Sequence, residues 1–410
     1  MQPTISRDPG LSVYVHLPWC ARKCHYCDFN SRPGSEEQRA RYLDALKAEI
    51  DRRAEMLGGA DVRTIFFGGG TPTVYDGEEL GEMLALLAPP PPAPPLRSGE
   101  GGRTTTPSSV VCRTGFQPVS RPVEITCEAN PETVDVAKLT AMREAGFNRL
   151  SIGAQSFHDD ELAMLGRGHT AAQTEAAVDA ARGAGFENLS LDLIYALPGQ
   201  TVERWRETLL RALALQPEHL SAYGLELCEG TPLHGGFQRG EVEPVGESEH
   251  LAMREVTLEL CEQAGLRRYE ISNYALPGRE CAHNITYWRN QPYLGMGAGA
   301  WSYLDGVRSE NLREPIDYVK ALETGADPTA YEERLEPDDA LMEALMMGLR
   351  MVEGLEVEAL AERHGAGRAR ELLQRAGPLA EMALLDLDGG RIRLTPEGQL
   401  LHGEVCVRLV

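Results

Sequence analysis

Near its amino terminus the chain reads Leu11-Ser-Val-Tyr-Val-His-Leu-Pro-Trp-Cys20-Ala-Arg-Lys-Cys24-His-Tyr-Cys27. A short apolar run leads directly into three cysteines whose spacings are three and two residues. Three thiolates can each bind one iron of a [4Fe–4S] cube, and iron–sulfur clusters normally have four ligands. The fourth iron would then be open to a small molecule that binds through nitrogen and oxygen.

The spacing alone also allows a zinc site. Thiolates and imidazole suit zinc equally well, and either His16 or His25 could supply a fourth ligand. The choice between cluster and zinc therefore depends on the chain that follows the cysteines.

Composition and charge limit the class of protein. The 410 residues allow one large domain and one small one. No apolar run is long enough to span a bilayer, and residues 1–10 lack the apolar region of a signal peptide. Nine cysteines, an odd number, indicate reduced thiols. We therefore expect a cytoplasmic protein. Transient contact with a membrane is not excluded by the sequence. A net charge of −22 argues against nucleic acid as a partner.

Six strand-like runs alternate with helical patterns up to about residue 228. The runs are Ser12–Leu17, Val62–Phe67, Val123–Cys127, Arg149–Ile152, Leu189–Ile194 and His219–Leu225. Amphipathic stretches such as Glu36–Leu57 and Val202–Leu215 separate them, the second opened by Thr201 as an N-cap. This alternation predicts βαβ units and a parallel sheet, either closed as a barrel or open. In both cases chemistry collects at the carboxyl ends of the strands.

Polar or glycine-rich features follow five successive strands at that end. The cysteine motif follows the first strand, and Gly68-Gly69-Gly70-Thr71-Pro72, Glu128, Gly153-Ala-Gln155 and Asp192 mark the next four. Glycine lets backbone N–H groups approach an anionic or zwitterionic ligand. Arg167 could pair with a carboxylate. Together these residues predict one pocket for a molecule with an amino acid end and a nucleoside end, beside the open iron.

The rest of the chain divides into three parts. Residues 89–121 begin with a run in which six of seven residues are proline, which predicts a disordered insertion without a role of its own. The predicted organisation is a barrel over 11–88 and 122–228, an extension over 229–330 and a small domain over 331–410. Helices followed by a hairpin make this last domain winged-helix-like.

The quoted motif, together with the Gly-Gly-Gly-Thr-Pro run, resembles the radical S-adenosylmethionine (SAM) superfamily, and within it the coproporphyrinogen-oxidase-like branch. Further runs, Glu-Ala-Asn-Pro, Gly-Ala-Gln-Ser and Asp-Leu-Ile-Tyr-Ala-Leu-Pro-Gly-Gln-Thr, extend the resemblance over 11–88 and 122–410. It implies an α/β fold, a partial (βα)6 TIM-type barrel followed by a small winged-helix-like α+β domain. It also implies that Cys20, Cys24 and Cys27 bind the [4Fe–4S] cluster and that SAM chelates its fourth iron. The family's SAM-contacting positions are here Tyr14, Gly69, Gly70, Thr71, Glu128, Gln155, Arg167 and Asp192.

Three features favour one branch of this family, the HemW-type heme chaperones. Phe29 stands where the true coproporphyrinogen III dehydrogenases have a fourth cysteine, and only nineteen residues precede Cys20. The run His283-Asn-Ile-Thr-Tyr-Trp matches the His-Asn-x-x-Tyr-Trp of the chaperones and makes His283 the expected axial ligand of heme. Cys281 is a weaker candidate ligand, and Trp301 stands where relatives often have a second histidine.

Two functions therefore compete. The first is a chaperone, not itself an enzyme, that binds heme and transfers it to acceptor proteins while carrying a [4Fe–4S] cluster and SAM. The alternative is an oxygen-independent coproporphyrinogen III dehydrogenase, a radical SAM oxidoreductase of porphyrin biosynthesis. Phe29, the short amino-terminal segment and the His283 motif favour the chaperone.

Overall fold

The structure is a computed structural model that describes residues 10–58, 60–87 and 123–410. The predicted insertion at 89–121 lies outside the described residues, so its prediction is not tested.

The first part of the chain alternates strands and helices, as predicted. Its strands are β1 Leu11–Leu17, β2 Trp19–Cys20, β3 Arg32–Pro33, β4 Val62–Gly69, β5 Glu124–Ala129, β6 Arg149–Gln155, β7 Leu189–Tyr195 and β8 His219–Gly224. Its helices are α1 Glu36–Arg52, α2 Ala54–Gly58, α3 Gly77–Leu87, α4 Val136–Ala145, α5 Asp159–Met164, α6 Ala171–Gly183 and α7 Val202–Ala214. The six predicted strands are all present, each within two or three residues of its expected ends.

Side-chain caps fix the starts of the helices that return the chain between strands. Ser35 and Gln38 form a capping box at the start of α1. Thr201 accepts a hydrogen bond from the Arg204 backbone N–H and caps α7, which confirms the predicted cap. The expected helix Glu36–Leu57 is divided into two helices. Helix α1 ends at Arg52 with Arg53 as its C-cap, and α2 begins at Ala54.

Strands β1, β4, β5, β6, β7 and β8 lie side by side in that order, and each pairs in parallel with the next. Residues of β1 such as Val13 and Val15 are fully buried in a core shared with the surrounding helices. The predicted partial (βα)6 barrel is confirmed. All six strands consequently end at one rim.

The next part of the chain extends this sheet on both sides. Its elements are α8 Pro232–Gln238, α9 Glu247–Gln263, β9 Arg267–Arg268, β10 Asn273–Ala275, α10 Ala282–Trp288, β11 Tyr293–Met296, β12 Trp301–Leu304, β13 Val307–Asn311, α11 Pro315–Glu323 and β14 Thr329–Arg334. Strand β10 pairs antiparallel with β8, while β11 pairs in parallel with β1 and leads to β12, β13 and β14. The result is a twelve-stranded sheet with β9 and β14 at its edges.

The carboxyl-terminal part has a hydrophobic core of its own. It consists of α12 Pro337–Gly348, β15 Leu355–Glu356, α13 Val357–His364, α14 Ala366–Glu381, β16 Leu385–Asp388, β17 Arg391–Leu394, α15 Pro396–Leu400 and α16 His402–Leu409. Strands β16 and β17 form an antiparallel hairpin around Gly389 and Gly390, which both have positive φ, as a two-residue turn demands. The predicted winged-helix-like arrangement is therefore confirmed. Within the described ranges, no helix is long and apolar enough to cross a membrane.

Candidate functional site

The three cysteines lie on the loop that joins β1 to α1, and all three are free thiols. Cys24 is buried, while Cys20 and Cys27 are partly exposed. Two cations stand beside these thiols: Lys23 Nζ is 3.6 Å from Cys27 Sγ, and Arg167 Nη1 is 3.6 Å from Cys24 Sγ. Positive charge favours thiolates and stabilises an anionic iron–sulfur cluster. The loop thus fits a [4Fe–4S] cluster held by three cysteines.

Residues far along the chain hold this cysteine loop in place. Asn30 Nδ2 donates to the carbonyl oxygens of Ala298, at 3.0 Å, and Arg313, at 2.8 Å. Arg32 forms a bidentate pair with Glu314, with Nη1 2.7 and 2.8 Å from the two carboxylate oxygens. These contacts attach the loop to the segment that follows β11.

Of the two histidines that could complete a zinc site, His16 is excluded by its hydrogen bonds. His16 Nδ1 lies 3.1 Å from the Tyr14 hydroxyl and Nε2 lies 2.9 Å from the Asn30 carbonyl oxygen, so both ring nitrogens are occupied. His25 Nδ1 is 2.8 Å from the Met164 carbonyl oxygen. Within the part of the chain that the structure describes, no three His, Cys, Asp or Glu residues could hold a single metal ion.

The glycine run at the end of β4 lies so close to neighbouring atoms that Gly69 and Gly70 leave no room for a side chain. Gly69 has φ +106°, and a Cβ there would lie 2.4 Å from Cε1 of His16. Its N–H donates to Glu128 Oε2 at 3.2 Å. A Cβ on Gly70 would lie 2.7 Å from the Trp19 carbonyl oxygen. The chain therefore requires glycine at both positions, and the run packs closely against the backbone that leads into the cysteine loop, with the Gly70 N–H donating to the Leu17 carbonyl oxygen at 2.8 Å.

Two carboxylates face the same space from β5 and β7. Burial, together with the charge of Asp192, raises the pKa of Glu128 to about 7. Burial also raises the pKa of Asp192, whose oxygens accept hydrogen bonds from Ser151 at 3.0 and 3.2 Å and from Ser190 at 3.3 Å. Acceptors of this kind fit the hydroxyl or ammonium groups of a ligand.

Asn130, which sequence reasoning did not include in the site, connects the predicted residues. Its Oδ1 accepts from Arg167 Nη2 at 2.7 Å, and its Nδ2 donates to Thr71 Oγ1 at 3.1 Å. Arg167 Nη2 also donates to the Gly153 carbonyl oxygen at 2.7 Å, while its Nε is buried without a partner. The Asn-Pro pair after a strand end was the signal that could have identified Asn130.

Gln155 and Tyr14 complete the arrangement. Gln155 has φ +64° at an irregularity in the β6–β7 pairing, a type of distortion that is common beside active sites. Burial and the nearby Glu128 raise the pKa of Tyr14. The predicted SAM residues thus lie at one rim, in contact with one another or linked through Asn130, His16 and Gly153. Their carboxylates and guanidinium fit a zwitterionic nucleoside.

His283 is placed differently from what a heme ligand requires. Its side chain is 1% exposed, with Nδ1 2.7 Å from Thr64 Oγ1 and Nε2 2.9 Å from the Tyr287 hydroxyl. Its ring stacks on Phe66 with 5.0 Å between centroids, and burial lowers its pKa to about 3. Iron could reach this imidazole only after one of these hydrogen bonds broke. The assignment of His283 as an axial ligand of heme stays a prediction.

Cys281 and Trp301, the other two residues considered with this motif, also pack against the rest of the protein. Cys281 is fully buried, with Sγ 3.7 Å from Glu124 Oε1, which agrees with a small packed residue rather than a ligand. Trp301 packs edge-to-face on Tyr331, 5.8 Å away. A sequence pattern shows which residues share a motif, but it does not show which side of α10 faces the barrel.

Comparison with known proteins gives consistent matches. Residues 14–212 match the radical SAM superfamily, and residues 335–401 match the HemN C-terminal domain. The chain is 34% identical to the heme chaperone HemW of Bacillus subtilis over 394 residues, which covers 96% of this chain and 97% of the relative. It is 35% identical to the heme chaperone HemW of Escherichia coli, with 80% of this chain and 81% of the relative covered.

A solved structure shares the whole architecture. The coproporphyrinogen III oxidase HemN from Escherichia coli, described as a radical SAM enzyme, matches with a TM-score of 0.78 at 26% identity. The match covers 98% of this chain and 91% of that one.

Proposed function

Because this chain belongs to the HemW heme chaperone family of the radical SAM superfamily, we propose that it binds heme and delivers it to acceptor proteins. The observation that carries the proposal is the 34% identity to a heme chaperone along nearly the full length of both chains. We further propose that it acts in the cytoplasm.

The proposed cofactors are a [4Fe–4S] cluster on Cys20, Cys24 and Cys27, and SAM at the rim. When bound, the cluster and SAM would supply radical chemistry. The chain's own residues would bind and orient: Arg167 would pair with the carboxylate of the ligand, and Glu128 and Asp192 would accept hydrogen bonds. The N–H groups of Gly70 and Thr71 donate to the carbonyl oxygens of Leu17 and Trp19, so the glycine run would shape the wall of the pocket rather than donate to the ligand.

Phe29 supports the chaperone over the dehydrogenase. It occupies the position of the additional cysteine expected in the enzyme, and it is 65% exposed at the surface of the cysteine loop. An exposed phenylalanine cannot supply a thiolate, and it offers apolar surface to a flat ligand or a protein partner.

One experiment separates the two functions. The anaerobically reconstituted protein is incubated with coproporphyrinogen III, SAM and a reductant, and is separately titrated with heme. We expect stoichiometric heme binding, seen as a Soret band, and no protoporphyrinogen. Turnover of coproporphyrinogen III at a useful rate would show that the protein is the dehydrogenase and would refute the chaperone function.

An Arg167→Ala variant tests the SAM pocket. Loss of the guanidinium removes the proposed partner of the SAM carboxylate, so we expect SAM affinity to fall at least tenfold, which corresponds to about 1.4 kcal/mol. The measurement is the SAM-induced change in the EPR spectrum of the reduced cluster.

Arg143→Ala is the control for that variant, because Arg143 also bonds backbone carbonyl oxygens but at the end of α4, away from the rim. It should leave SAM affinity unchanged. An Arg167→Ala protein with wild-type SAM affinity and normal iron content would refute the assignment.

A further inference from the structure

The interior of the barrel carries polar side chains that bond one another. Ser151 Oγ donates to Asp192 Oδ2 at 3.0 Å, and Ser190 Oγ lies 3.3 Å from Asp192 Oδ1 and 2.8 Å from His219 Nδ1. Tyr223 shares the face of His219, because side chains four residues apart point to the same side of a strand. Tyr223 is 40% exposed although β8 is paired on both sides. Solvent therefore reaches this interior from the rim.

Arg149, at the start of β6, is a buried cation without a hydrogen-bond partner. It is 2% exposed, its Nε is buried and unpartnered, and no other described residue hydrogen-bonds its guanidinium. A guanidinium has five N–H donors, and burial of such donors without acceptors is unfavourable. Thr126, which pairs in register with Arg149, also has a buried hydroxyl without a partner. Two adjacent strands thus leave polar groups unsatisfied at the same level of the barrel.

The carboxylates around Arg149 are bonded to other groups. Glu124 accepts from the backbone N–H groups of Ala282, at 3.0 Å, and His283, at 3.1 Å. Asp192 accepts from the serines named above. Burial disfavours the charged guanidinium, but acidic groups nearby, among them Glu124 and Asp192, raise the pKa of Arg149 overall. Arg149 is therefore charged and able to bind a carboxylate from a ligand.

The charge of Arg149 acts on groups from three sides of the barrel. Together with burial, it lowers the pKa of His219 on β8 and lowers the pKa of His283 on α10 to about 3. It also opposes the rise in the pKa of Glu128 on β5, which burial and Asp192 cause. The guanidinium consequently lies in the interior between the rim and α10. His283 stays neutral beside it, and neutral imidazole is the form that binds a metal.

This position differs from the place proposed for the SAM carboxylate. Arg167, the proposed partner of that carboxylate, bonds the carbonyl oxygen of Gly153. Gly153 lies four residues beyond Arg149 on β6, about 13 Å along a strand. The interior therefore offers a second carboxylate site below the first.

We propose that Arg149 binds a carboxylate inside the barrel, a propionate of the heme that the protein carries, with the Thr126 hydroxyl donating to the same group. This inference rests on the proposed function and names the group of the cargo that the interior recognises. Heme would enter from the rim, where the interior is accessible. Its iron would face α10, where His283 is the expected ligand.

Heme and heme dimethyl ester test the proposal, because the ester has the same iron and ring but no ionised propionates. Each is titrated at neutral pH into the anaerobically reconstituted protein, and the Soret band is followed. The wild type should bind heme at least about tenfold more tightly than the ester. Arg149→Met, which removes the charge and keeps an unbranched side chain, should bind heme as weakly as the wild type binds the ester. Its affinity for the ester should be unchanged, and Arg149→Lys should keep part of the preference for heme.

Arg268→Met is the matched control, because Arg268 also has a buried nitrogen without a partner but lies on the edge strand β9. It should keep the wild-type preference for heme. Equal affinities of the wild type for heme and ester would overturn the inference, and they decide the matter even if thermal unfolding shows that Arg149→Met does not fold.

Two further outcomes separate this inference from the other proposals. A fall in SAM affinity in Arg149→Met with unchanged heme affinity would assign the carboxylate to SAM and overturn the inference. Failure of the wild type to bind either heme or the ester would instead refute the proposed function.

Discussion

A Cys24→Ala variant should lose nearly all cluster iron after anaerobic reconstitution, against about four irons per chain in the wild type. Cys24 is the buried member of the three thiols, and its sulfur faces Arg167 at 3.6 Å. Two remaining thiolates cannot hold three irons, so the brown chromophore should be absent. Iron analysis and the absorption spectrum measure the loss.

Cys228→Ala is the matched control, because Cys228 is also a partly exposed thiol near the cysteine loop. It should retain full iron content. Loss of iron in this control would mean that a fourth protein thiolate closes the cluster and excludes SAM. Stoichiometric zinc without iron in the wild type would contradict the cluster itself.

A Gly69→Ala variant should lose both stability and the SAM response. The residue has φ +106°, and the new Cβ would lie 2.4 Å from the ring of His16. That ring is fixed by hydrogen bonds on both nitrogens and cannot move freely. Backbone strain and overpacking together should cost about 3 kcal/mol, which corresponds to roughly 3–5 °C in Tm for a chain of this size. Thermal unfolding and the EPR titration with SAM measure the two effects.

Gly183→Ala provides the comparison for that substitution. Gly183 ends α6, and a Cβ there would meet no atom within 4 Å. Since alanine favours a helix over glycine, this variant should be unchanged or more stable by up to about 1 kcal/mol. A Gly69→Ala protein as stable as Gly183→Ala would show that the turn at β4 tolerates a side chain.

The sequence predicted the barrel well because its signals are local. Each strand is a short apolar run such as Leu189–Tyr195, and several helix starts have a side-chain cap, as at Thr201. The candidate site was predictable for the same reason. Parallel strands end at one rim, so Glu128 on β5 and Asp192 on β7 lie near each other. Their closeness does not depend on the length or packing of the helices between the strands.

Other features depend on contacts between distant residues and could not be read from a pattern. The pairing of β1 with β11 joins Tyr14 to Gly295 and adds four strands to the six of the barrel, while the pairing of β8 with β10 adds the other two strands of the twelve-stranded sheet. Glu49 of α1 is fully buried because Tyr318, Asn311 and the Gly297 N–H bond it. Likewise, only the tertiary structure shows that both ring nitrogens of His283 have partners.

The attachment of the cysteine loop to late parts of the chain has a consequence for biosynthesis. Asn30 and Arg32 leave the ribosome early, but their partners Ala298, Arg313 and Glu314 are made almost 300 residues later. Synthesis proceeds at about 5–20 residues per second, so the three thiols wait at least about ten seconds for the contacts that shape their loop. Iron–sulfur insertion should therefore follow synthesis of the segment that contains Arg313 and Glu314. The cell's assembly machinery would meet a nearly complete barrel rather than an isolated cysteine loop.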